Sequence, residues 1–239
     1  TRNPEPGTRN PEPGTRNSNM PAPTQTPLQT EQLVVLSNVT WATYKQLSAD
    51  LGDNRATHLA FLHGNLEIMS PSRLHEQLAQ FLTRIVILLA ESFKQPIEAC
   101  GAMRLEREDV AISAEPDGSF YLANEPRIRR KVALDFTVDP APDLIIEIDI
   151  SSGSLAKFAI YETFRIPEIW RYDERKGFMI YVLSEAGYAP TEQSSTFTEI
   201  TRNEIQTLIS ECQKNGQTAA IKKFQSWLKL KKKQRKKSL

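Results

Sequence analysis

Apolar positions recur along this chain in two rhythms, every second residue and every third or fourth, and the changes of rhythm mark out strands and helices. Two short apolar runs at 58–62 and 66–69 flank His63, Gly64 and Asn65. Glycine and asparagine accept the positive φ of a tight turn, so this stretch predicts a β-hairpin. Pro71 and Ser72 then open a long helix reaching about residue 93, in which Leu74, Leu78, Phe81, Leu82, Ile85, Leu88 and Leu89 keep the 3.6-residue period. Pro96 stops it. A shorter helix is expected at 40–49, with Tyr44 and Leu47 on one face. Extended segments are read at 98–105, 119–122 and 143–150, and a charged excursion at 127–139 has room for a strand. Ser151 to Ser154 offer N-caps for a helix at 155–165, ended by Pro167. Strands at 169–172 and 178–183 flank a turn, and helical patterns at 203–213 and from 218 onward finish the chain. The order implies a mixed α/β fold, one central mixed sheet flanked by helices with an N-terminal β-hairpin.

The strand at 143–150 reads DLIIEIDI, so Leu144, Ile146, Ile148 and Ile150 face one way and Asp143, Ile145, Glu147 and Asp149 the other. Glu147 and Asp149 are thus neighbours about 6.6 Å apart along one face. Two hard oxygen ligands so placed suit Mg²⁺, which prefers carboxylates and waters. Lys157, in the first turns of the next helix, can reach back toward the strand's end, where an ammonium would steady growing negative charge. Tyr161 shares its helix face. The plain alternative is a half-exposed strand followed by a helix with a surface lysine. Asp117 precedes a short aromatic strand and can complete a metal shell, although Pro-Asp-Gly is also a turn signature. Glu76, at the start of the long helix, suits the helix dipole and is a candidate outer-shell acid. The RIRRK run at 127–131 can meet phosphates or simply be solvated, and Trp170 reads as core.

Composition narrows the classes. Of 239 residues, 39% are hydrophobic and 25% charged, enough for a core of ordinary size. Cys100 and Cys212 lie far apart, which argues against a zinc ribbon or disulfide scaffold and suits a reducing, cytoplasmic compartment. His58, His63 and His75 form no metal-ligand spacing. No apolar run approaches the roughly 20 residues that span a bilayer. No P-loop or GxGxxG pattern appears. The net charge of +1 conceals a basic end, residues 229–237, whose seven Lys and Arg leave 23 basic against 29 acidic residues elsewhere. Such an end is either a solubilising tail or an arm that seeks phosphates with salt-sensitive affinity. Three regions are expected: a disordered Pro-rich extension at 1–30 carrying TRNPEPG twice, a main domain at 31–213, and a C-terminal helix with basic tail at 214–239. Met20 reads as an alternative start.

Taken in order, GNLEIMSP, the following His-Glu, EPDGSFYL and DPAPDLIIEIDISSGSLAKFAIYETFRIPEIWRYD resemble a bacterial restriction endonuclease family of the PD-(D/E)XK nuclease superfamily. The resemblance covers about residues 39–208 and is most specific over 139–173. It implies Mg²⁺- or Mn²⁺-dependent hydrolysis of phosphodiester bonds in DNA. Asp117 matches the PD aspartate and Glu147 the acidic position of (D/E)XK. The motif's lysine position holds Asp149, and the lysine is supplied from the next helix as Lys157. The implied ligands are Asp117 and Glu147, with Asp149 and the Ile148 carbonyl beside them. A homodimer is compatible, since a double-strand break needs two active sites. The competing readings are a nuclease fold that binds nucleic acid without cutting it, and a protein-interaction domain.

Overall fold

Glu115, Pro116 and Asp117 carry the chain from one β-sheet to another, and the site described below grows around that crossing. The structure is a computed structural model that describes residues 31–52, 56–150 and 157–237. The first sheet is antiparallel throughout, with β1 (Gln32–Leu36), β2 (His58–Leu62), β3 (Asn65–Ser70), β5 (Leu105–Arg107) and β6 (Ile112–Ala114) in the order β1-β3-β2-β6-β5. The second holds β4 (Glu98–Ala99), β7 (Gly118–Tyr121), β8 (Leu144–Asp149), β9 (Glu168–Asp173), β10 (Gly177–Ser184) and β11 (Gly187–Thr191) in the order β11-β10-β9-β8-β7-β4. Among the described strands, only β8 and β9 pair in parallel, with α4 (Lys157–Thr163) between them in the chain.

The helices are α1 (Trp41–Leu51), α2 (Arg73–Phe93), the short α3 (Glu125–Ile128), α4, α5 (Arg202–Asn215) and α6 (Gln217–Lys237). Local chemistry sets their ends. The Ser72 side chain accepts from the His75 amide at the start of α2. Thr201 and Glu204 cap α5 reciprocally. Between β2 and β3, His63 and Gly64 both have positive φ, 48° and 78°, the two-residue turn that matches strand twist.

Alternation along β8 divides the core. Leu144, Ile146 and Ile148 pack with α2, α5 and α6 on one face of the second sheet. Ile145 faces the other way, into a cluster with Ala60 and Ala114 of the first sheet and Ile160 and Tyr161 of α4. Glu147 follows Ile145 on that inner face.

The mixed sheet flanked by helices is as the sequence implies, but the hairpin does not stand alone. β1 on one side and β6 with β5 on the other extend it into a second sheet. The segment at 98–105 shortens to β4 and β5, because Gly101 adopts φ +60° and ends the extended run. The excursion at 127–139 contains no strand; its described structure begins with α3 and continues in turns. The basic end is helical, and α6 buries Ala220, Ile221, Phe224 and Leu228 in the main core. The expected extension at 1–30 and the N-caps at 151–154 lie outside the described residues. No described helix is long and apolar enough to cross a membrane.

Candidate active site

Asp117 is fixed by backbone before any other side chain touches it. Its amide donates to the Ile146 carbonyl at 3.0 Å, and the Ile148 amide donates to Asp117 Oδ2 at 2.7 Å. The carboxylate therefore lies against β8, beside Glu147.

Glu147 is buried, and both its oxygens are engaged from α4. Lys157 Nζ donates to Oε2 at 2.9 Å, and the Tyr161 hydroxyl, one helical turn on, donates to Oε1. Burial pushes Glu147 up, Lys157 pulls it down, and the nearby charges of Asp117 and Asp149 push it up again, to a pKa of about 7. Burial works against the Lys157 ammonium, but Glu147, Asp117 and Glu67 hold it above the usual lysine range. The same burial and the Glu147 charge push the Tyr161 phenol well up. Asp149, two residues beyond Glu147, accepts from Arg171 Nε of β9. It surrounds the pair with charge while its own carboxylate is occupied.

Two histidines complete the cluster from the first sheet and α2. His75 Nε2 lies 2.9 Å and His58 Nδ1 3.2 Å from Asp117 Oδ1. All three atoms are shielded from solvent, and none has a hydrogen bond of acceptable angle. The His75 contact acts through charge, since its imidazole is held protonated beside Asp117. On its other side, His75 Nδ1 is 2.8 Å from Glu31 Oε2, just ahead of β1. Burial disfavours the His75 imidazolium, yet its contacts with Asp117 and Glu31 outweigh that, and its pKa is pushed up to about 10. Burial raises Asp117, but His58, His75 and Lys157 prevail and hold it below the usual carboxylate range.

The structure thus brings Asp117, Glu147, Lys157 and Tyr161 together, with Asp149 at the margin. Glu76 is exposed on the outside of the first turn of α2, and the residue there that turns inward is His75. Asp143 is spent on structure, accepting from the amides of Leu122 and Asn124 and from Asn124 Nδ2. In the RIRRK run, Arg129 pairs with Glu125 and Lys131 with Asp139.

Sequence reasoning missed Glu31, His58, His75 and Glu67. His75 had a readable signal: with Leu78, Ala79 and Leu82 it falls on the buried stripe of α2. Glu67 is 2% exposed on β3, directly across from Ala60 of β2, and its charge acts on Lys157. Its signal was an acid alternating onto the same strand face as Met69. Glu31 and His58 had none, because their partners are remote in sequence. Among the described residues, no three His, Cys, Asp or Glu side chains are already disposed about one point as a metal cage. Two buried carboxylates, one just ahead of β7 and one on β8, beside a buried ammonium can hold a cation and act on an anionic substrate.

A family model described as "Uma2: Putative restriction endonuclease" matches residues 41–210, the span from α1 into α5 that contains Asp117, Glu147, Lys157 and Tyr161. Among solved structures, the chain is similar to one described as a putative nuclease belonging to DUF820 from Anabaena variabilis, at 16% identity and a TM-score of 0.48, over 71% of this chain and 98% of that one. Among curated proteins, nothing matches.

Proposed function

Because the chain belongs to the Uma2 family of restriction-endonuclease-like proteins, we propose that it is a divalent-metal-dependent endonuclease that hydrolyses phosphodiester bonds in DNA, with Asp117, Glu147 and Lys157 as its catalytic residues. One observation carries this reading: Asp117 Oδ1 is buried without an aimed hydrogen-bond donor, beside a second carboxylate that a buried lysine holds in place. The His75 contact offsets part of the Asp117 charge, and a divalent cation would pair with the carboxylate charge that remains in this buried site. The residues fit Mg²⁺ or Mn²⁺ in the way Mg²⁺ is commonly held, by one or two carboxylates with waters filling the remaining positions. Asp117 and Glu147 would hold the ion. Asp149 is assigned to setting the local charge, since Arg171 occupies it.

When bound, the ion supplies a water of lowered pKa and neutralises charge on the scissile phosphate. The protein's own groups do the rest. Lys157 presents a fixed ammonium to the phosphate oxygens as negative charge builds in the transition state. Tyr161 holds Glu147 in one rotamer, so the carboxylate does not reorganise as substrate enters. His75, braced by Glu31, sets the position of Asp117. A double-strand cut would require two such sites and hence two copies of the chain. Cys100 and Cys212 are free, which agrees with work in the reducing cytoplasm.

The test is incubation of supercoiled plasmid with Mg²⁺ or Mn²⁺ beside an EDTA control. Nicked or linear product that disappears with EDTA supports the proposal. Intact plasmid and intact genomic DNA under every metal condition would overturn it.

A further inference from the structure

Helix α6 has no acidic residue in its 21 positions, and its cations at positions 222–235 fall into two sets. Those flanking the core are paired. Lys231 lies 3.4 Å from Glu204 and over the Trp227 ring, Arg235 lies 2.8 Å from Glu199 and over the Phe93 ring, and Lys223 lies 3.1 Å from Glu211. Lys222, Lys229, Lys232 and Lys233 are exposed and have no anionic partner among the described residues. Lys222, Lys229 and Lys233 fall on the helix side opposite Ala220, Phe224 and Leu228, with Lys232 on its flank, in a stripe about 16 Å long at 1.5 Å per residue. Like charges three and four apart on a helix repel, so Lys229, Lys232 and Lys233 destabilise the free helix and would be relieved by a polyanion.

We infer that this stripe is a second nucleic-acid contact surface, an anchor for the DNA phosphate backbone separate from the cleavage site. The inference rests on the nuclease reading for its choice of partner. Separation from the site follows from the layers. α6 packs on the Leu144–Ile146–Ile148 side of the second sheet, whereas Glu147 and Lys157 lie on the other side. Its direction adds to this: Gln217 donates to the Gln77 carbonyl near the start of α2, and Arg235 reaches Phe93 at its end. The lysines therefore recede from the His75 end of α2 as α6 proceeds. An anchor so placed raises affinity for long DNA without touching the scissile phosphate. Its contribution is electrostatic and falls with salt through counterion release.

The experiment compares the full chain with a variant carrying Lys222→Gln, Lys229→Gln, Lys232→Gln and Lys233→Gln, all at exposed positions. Binding to a long labelled duplex is followed by fluorescence anisotropy in EDTA across a salt series, and cleavage is measured separately at saturating DNA with metal. The slope of log affinity against log salt should become shallower by up to about 3.6, at about 0.9 for each phosphate that a lysine no longer neutralises. Cleavage at saturating DNA should stay within about twofold, because no catalytic group is altered. An unchanged slope and affinity overturns the inference, as does loss of binding to anionic phospholipid vesicles while DNA binding is untouched. The two proposals fail separately: a wild type that cuts nothing yet shows the lysine-dependent slope removes the nuclease reading and keeps the anchor.

Discussion

Lys157 Nζ lies 2.9 Å from Glu147 Oε2 across the strand-to-helix connection, with both side chains buried. The helix thus delivers an ammonium that the strand itself, with Asp149 in the nearer position, does not carry. Lys157→Met should lower DNA cleavage by about 10²- to 10³-fold, the scale for losing one preorganised transition-state donor. DNA binding should persist, as gel retardation would check. Cleavage within about threefold of wild type would remove Lys157 from the chemistry.

Tyr161 gives a pH prediction. Burial raises the Glu147 pKa, Lys157 and, to a smaller extent, the Tyr161 hydroxyl lower it, and the balance stands at about 7. Glu147 is charged above that value and neutral below it. Metal affinity measured by titration calorimetry should therefore fall as pH drops through about 7. Tyr161→Phe removes the lowering hydrogen bond and should move this limb to higher pH. A limb that stays in place would show that Tyr161 does not act on Glu147.

His75 gives a stability prediction in the metal-free protein. Its folded pKa of about 10 exceeds the ordinary 6.5, so its protonated form stabilises the fold fully below about pH 6.5. That contribution is lost as pH rises toward about 10. In urea unfolding, the stability difference between wild type and His75→Gln should be larger near pH 6 than near pH 10. A difference independent of pH would contradict the charged state of His75.

What the sequence made legible was local. The alternation in DLIIEIDI put Glu147 and Ile145 on one face, and Gly64 marked the β2–β3 turn, although the second positive φ falls on His63 and not on Asn65, which opens β3. The stripe of α2 was equally readable, although reading only its apolar members passed over His75. Three strands were not legible, each for its own reason. β6 has three residues and follows Ala111 with φ +49°, β11 contains Pro190 on a sheet edge, and β1 has no alternation, since Val34, Val35 and Leu36 are all exposed. The acid expected at Glu76 and the acids found at Glu31 and Glu67 differ because Glu31 meets His75 and Glu67 acts on Lys157 only through residues remote in sequence, which spacing along the chain does not encode.

The Thr201–Glu204 capping box gives a prediction independent of catalysis. Glu204 also accepts from Trp227 Nε1 at 2.9 Å, so the cap ties α5 to α6. Thr201→Ala should cost about 1 kcal/mol. A lowering of Tm by about 2–4 °C is expected for a chain of this size, with cleavage unchanged. An unchanged melting temperature would mean that the cap contributes nothing to the fold.

The most direct test of the central claim places Asp117→Asn and Glu147→Gln beside wild type in the metal-dependent plasmid assay, with DNA retardation measured on the same preparations. The account predicts that both substitutions abolish cutting while leaving retardation intact, because each removes a carboxylate charge from the candidate metal site and neither touches the lysine stripe of α6. Cutting by either variant at the wild-type rate would contradict it, since the two carboxylates would then not be the groups that carry the reaction.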